Sequence, residues 1–121
     1  MYYTGYLLTQ ASRNKLLETF PPKYARVICE HITENFGVKD DSSAPEQPQS
    51  VLVVGYVDSG DGVEALAVTV NGETERPDGR KYHITLSLAE GRRPVESNDY
   101  IDKAEQVSPQ NVLVIPKLFA C

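Results

Sequence analysis

Nowhere in the 121 residues does an apolar run approach the roughly 20 needed to cross a bilayer, so no spanning helix is expected. The opening Met1-Tyr2-Tyr3-Thr4 lacks a basic stretch followed by an apolar block, which argues against a secretory signal. Cysteine is scarce. Cys29 and Cys121 are too few for a disulfide framework, and a reduced, cytoplasmic protein is the expectation. A basic excess is missing too: 12 Lys and Arg stand against 17 Asp and Glu, a net charge of -5. A protein that tracks long nucleic acid draws its affinity from neutralising phosphates. Long duplex nucleic acid and membranes are therefore disfavoured as partners, while one phosphate held in a local pocket is not.

What is present is ordinary globular material, 40% hydrophobic and 24% charged, and at this length a single domain over residues 1–121 is expected. Residues 2–9, rich in Tyr and Thr, predict a first strand. Residues 11–20 predict a helix capped by Thr9 or Ser12, with Leu16, Leu17 and Phe20 on one face and Pro21-Pro22 as the stop. Residues 24–36 read as one strand. Residues 39–50 are full of breakers and predict a flexible loop. Strands are expected at 51–57, 63–70 and 81–88, a short helix at 95–104, and a last strand at 112–115 closed by Pro116. This order predicts an α+β fold: a compact, mixed or antiparallel sheet with one or two helices.

Only two histidines occur, and both begin the same tripeptide, His31-Ile32-Thr33 and His83-Ile84-Thr85. With seven threonines in the chain, the chance of both histidines carrying His-x-Thr by accident is on the order of one in three hundred. In a strand, residues i and i+2 share a face, so each His lies beside its own Thr. Two such strands side by side bring two imidazoles and two hydroxyls into one cleft. In-line cleavage of a phosphodiester needs a base for the incoming water and an acid for the leaving oxygen. Histidine, with an unperturbed pKa of about 6.5, serves either role near neutrality. Threonine hydroxyls donate to the non-bridging oxygens as charge builds there. Cys29 and His31 make two metal ligands at most and the carboxylates are scattered, so neither a metal nor another cofactor is expected. Lys81, His83, Thr85 and Ser87 form a polar stripe, the pattern of a solvated sheet face and equally of a phosphate-lined cleft.

These residues resemble the 2H phosphoesterase superfamily, whose signature is two His-x-Thr/Ser motifs on adjacent strands. His31-Ile32-Thr33-Glu34-Asn35-Phe36-Gly37 is similar to the first motif, and Tyr82-His83-Ile84-Thr85-Leu86-Ser87-Leu88 to the second. Residues 82–98 also look like the RNA-repair-like subgroup. The resemblance implies a two-lobed α+β fold with one motif per lobe, His31 and His83 as the acid/base pair, and Thr33 and Thr85 as phosphate-binding hydroxyls. It implies metal-independent attack on a cyclic nucleotide, a cyclic oligonucleotide, a 2′,3′-cyclic phosphate or an RNA 3′ end. Only 52 positions separate the two histidines, which implies a trimmed lobe, and the helix expected between the motifs is missing from the pattern.

Around this pair, Tyr2, Tyr3 and Tyr6 are candidates for stacking on a base, with Tyr6 carried forward as a substrate-binding residue. Arg92 and Arg93 are candidates for a second phosphate, and Lys81 is a weaker one. The alternative is a binding module that sequesters a nucleotide or phosphorylated end in the same cleft without cleaving it. A protein-interaction domain with two structural histidines stands further behind.

Overall fold

The structure, a computed structural model, describes residues 1–120, so Cys121 lies outside the described residues. Among these, eight strands and one α-helix build two antiparallel sheets, a strand-rich α+β arrangement. In the three-stranded sheet, β1 (Tyr2–Leu8) lies between β3 (His31–Val38) and β8 (Val114–Ala120). The five-stranded sheet runs β2 (Arg26–Val27), β6 (His83–Leu88), β5 (Val63–Val70), β4 (Val51–Asp58), β7 (Glu105–Asn111). No helix is long and apolar enough to cross a membrane among the described residues.

The two sheets close on one core. Tyr6, Leu8 and Ile32 come from the smaller sheet, and Val53, Leu66, Val68, Ile84 and Leu86 from the larger. The helix α1 (Gln10–Thr19) links them. Its N-cap is Thr9, whose hydroxyl oxygen accepts the Ser12 N–H at 3.2 Å, and it ends at Phe20 ahead of Pro21-Pro22. Leu16 is wholly buried beneath it. Truncation of this side chain to Ala removes about 2–5 kcal/mol of stability. The outer face of the larger sheet is covered as well, where Ile101 packs on Val57 and Ala65. Every residue of β6 is therefore buried.

Several sequence expectations are corrected. The single strand over 24–36 is two strands in different sheets, β2 and β3. The short helix expected over 95–104 is two 3-10 helices, Pro94–Asp99 and Ile101–Lys103, rather than one continuous element. The last strand starts at Val114 and runs through Pro116, because β8 pairs only with β1 and a missing N–H on its outer side costs nothing. β7 gave no apolar alternation because it is a largely exposed edge strand. Residues 39–50 carry almost no regular structure but are tethered: the Gln47 amide donates to the Val114 carbonyl at 3.1 Å, and the Gln49 and Ser50 N–H groups donate to Asn71 Oδ1.

Candidate functional site

The meeting of the two motifs is set by a crossover between the sheets. β2 pairs antiparallel with β6, and the pairing continues past its end: the Ile28 and Cys29 N–H groups donate to the Leu86 and Thr85 carbonyls at 2.9 and 2.8 Å. Two residues further, the same register sets His31 opposite His83. The chain leaves before that point. Cys29 takes a left-handed conformation (φ 48°), and the Glu30 carbonyl accepts the Leu8 N–H of β1 at 2.9 Å, so β3 joins the other sheet. Arg13 of α1 holds the crossover, donating from Nε to the Cys29 carbonyl (3.1 Å) and from Nη2 to the Ile28 carbonyl (3.3 Å). The histidines thus stand at matching positions on two strands that diverge, and the divergence opens a cleft.

A β-bulge then tunes one wall. Gly5 pairs with Thr33 and Thr4 with Asn35, leaving Glu34 as the extra residue. The bulge re-phases β3, so that Phe36, opposite Tyr3, shares the cleft face with His31 and Thr33. Gly5 is obligatory here, since a Cβ would sit 2.2 Å from the Ile32 carbonyl oxygen.

The cleft has a volume of about 390 Å³. Tyr3, His31, Thr33 and Phe36 line it from the smaller sheet, Pro94, Val95 and Asn98 from the first 3-10 turn, and Arg76, Arg80 and His83 complete it. The aromatic side is ordered by contact: Tyr3 stacks on Phe119 at 4.8 Å, Phe36 lies 6.0 Å from Tyr3, and the His31 ring is 5.4 Å from both Tyr3 and Phe119. Phe36 and Val95 remain about half exposed at the lips. Asn98 donates from Nδ2 to the Val95 carbonyl at 2.9 Å, and its buried Oδ1 has no partner.

Electrostatics distinguish the two rings. Burial lowers the pKa of His31, and the nearby Arg76 guanidinium lowers it further. For His83, burial is again the largest cause and takes the pKa down to about 4; Arg76, His31 and Arg80 add to this, while the bond to the Lys81 carbonyl opposes it. Both rings are neutral at pH 7. His83 Nδ1 lies 3.0 Å from the Lys81 carbonyl, which only accepts, so Nδ1 carries the proton and Nε2 keeps its lone pair. Arg76 is itself buried and held by both oxygens of Asp78, through Nε at 3.0 Å and a second short contact from Nη2. Asp78 also accepts the Phe36 and Arg80 N–H groups, tying the 73–81 segment to β3.

Of the residues singled out from sequence, His31, His83, Thr33 and Tyr3 come together in this cleft, and Thr85, Lys81, Arg92, Arg93, Tyr2 and Tyr6 do not line it. Thr85 is buried and bonded to Ser97 Oγ at 2.9 Å, so it supports the 3-10 turn behind the cleft wall. The polar stripe of β6 is no solvated face: Ser87 is fully buried and donates to Glu64. Lys81 contributes its carbonyl to His83, while its ammonium pairs with Asp102 at 2.6 Å away from the cleft. Arg92 is engaged by Asp61, Glu96 and Tyr100. Tyr6 faces the core on the opposite side of β1, and it is Tyr3 that lines the cleft.

Arg76, Arg80, Phe36 and Asn98 were not anticipated as cleft residues. Arg76 and Arg80 flank the Pro77-Asp78-Gly79 turn shortly before His83, and two cations bracketing a turn next to a motif is the signal that was there to be read. Among the described residues, no three His, Cys, Asp or Glu side chains cluster where they would hold a metal ion. Comparison with family models, with curated proteins and with solved structures gives no match.

Proposed function

We propose that the protein is a 2H-type phosphodiesterase that opens a small cyclic phosphodiester, a cyclic nucleotide or a 2′,3′-cyclic phosphate end, without a metal. The observation that carries this reading is the placement of both His-x-Thr imidazoles in one cleft of nucleotide size. His83, neutral and with a bare Nε2, takes the proton from the attacking water. His31, whose pKa is the less strongly depressed, gains a proton once an anionic phosphoryl group lies beside it, and delivers that proton to the leaving oxygen. Thr33 and the Arg76 and Arg80 guanidiniums donate to the non-bridging oxygens, and the Tyr3–Phe36 side offers a face to a base. Arg80, beside an Arg76 that is paired with Asp78, gives the cleft a local cationic side in a chain of net charge -5, which favours a small ligand over a polymer.

The test is incubation with a panel of cyclic nucleotides and 2′,3′-cyclic phosphates, with products separated by chromatography, in the presence and absence of EDTA. Turnover that survives EDTA and disappears in His31→Ala and His83→Ala supports the reading. Activity abolished by EDTA and restored by Zn²⁺ or Mg²⁺ overturns the mechanism. One observation favours the sequestering alternative: Thr85, the second expected phosphate donor, is committed to Ser97. Tight binding without product, unaffected by both His→Ala changes, is the result that reading requires.

A further inference from the structure

A second cavity opens elsewhere in the molecule, at one end of the core between the sheets. Its volume is about 410 Å³, and its lining includes Tyr6, Glu34, Glu46, Gln49, Glu73 and Tyr82 and no Lys or Arg. Three carboxylates face it without a cation of the protein's own. Two tyrosines give it a second, independent character. Tyr6 and Tyr82 are only 4% and 6% exposed, their rings belong to the core, and both line the cavity. Neither hydroxyl has a hydrogen-bond partner among the described residues. Neither oxygen is among the fully buried unpartnered atoms, so each opens into the cavity with its lone pairs available to a guest. Burial first, and the nearby Glu34 carboxylate after it, raise the pKa of both phenols and keep them protonated, although the Arg76 guanidinium partly opposes this at Tyr82.

The complement of such a cavity is positive, carries several N–H donors, and is larger than an atomic ion. A metal ion does not meet this description: no three of the described carboxylates come close enough together to share one. We propose that the cavity binds an N–H-rich organic cation, an alkylammonium or a guanidinium, whose donors reach the Glu34, Glu46 and Glu73 carboxylates and the oxygens of Tyr6 and Tyr82. The aromatic rings add cation–π attraction. Residues 45–49 form part of the rim, and their tethers to Asn71 and Val114 keep that rim in place.

Calorimetric titration of the full chain with spermidine, and separately with N-acetylarginine amide, tests this. One-site saturable binding of at least one probe is expected, and the probe that saturates identifies the alkylammonium or the guanidinium as the ligand type. Glu73→Gln weakens it at least about tenfold, the loss of a charge-assisted contact. Tyr82→Phe, which keeps the core ring, weakens it a few-fold. Glu18→Gln removes an equal charge from the exposed side of α1 and leaves the affinity unchanged. Failure of both probes to saturate overturns the proposal. So does weakening by Glu18→Gln equal to that by Glu73→Gln, since the attraction is then that of the whole acidic surface.

Discussion

His31-Ile32-Thr33 opens an edge strand, its ring half-buried among Tyr3 and Phe119 and its threonine in the cleft. His83-Ile84-Thr85 opens a strand buried on both faces, its ring fixed by a backbone carbonyl and its threonine bonded away from the cleft. The same three residues thus meet two environments. One supplies a more accessible ring beside a free hydroxyl, and the other a desolvated ring in a fixed tautomer. An acid and a base with different proton affinities are what a two-proton reaction uses, and identical side chains acquire that difference only from their surroundings.

The sharpest way to break this comparison is to remove each ring. His31→Ala and His83→Ala are each expected to lower turnover by about 10²–10⁴-fold, measured as initial rates on the responsive cyclic phosphate. If one ring proves dispensable while the other is not, the pairing is wrong.

Next comes pH. The His83 pKa is down at about 4 in the folded chain, against about 6.5 unfolded. Above pH 6.5 both states are unprotonated and stability is whole. Between about 6.5 and 4 the unfolded chain binds a proton that the native state refuses, so about 3 kcal/mol of stability is lost as pH falls through that window. Urea unfolding at a series of pH values reads this loss, and His83→Gln is expected to flatten it.

The threonines separate by kind of effect. Thr33→Val is expected to cost about 10²-fold in turnover at nearly unchanged stability. Thr85→Val is expected to cost about 1–3 kcal/mol of stability, because Ser97 loses a buried partner. Equal effects on activity from both would erase the asymmetry. The smallest change is expected for Lys81→Met. Its ammonium sits in an exposed pair with Asp102 that solvent screens, and the carbonyl that holds His83 stays.

Much of this was legible along the chain. The repeated tripeptide marked the two rings, Pro21-Pro22 marked the end of α1, and alternation marked β5 and β6. The rest was hidden for identifiable reasons. The break at Cys29 follows from one left-handed residue and two carbonyls held by Arg13, and nothing local announces either. The bulge at Glu34 shifts which residues share a face, so strict alternation places Asn35 where the fold places Phe36. Thr85 and Ser87 look solvated in a one-dimensional pattern because their partners, Ser97 and Glu64, are distant in sequence.

The Asp78 carboxylate belongs to neither ladder of main-chain bonds, yet it joins the Arg76 segment to β3 through a single 3.3 Å contact from the Phe36 N–H. The cleft wall that carries Arg76 is thus fastened to β3 by a side chain, where the strands themselves are fastened by main-chain pairing and a shared core.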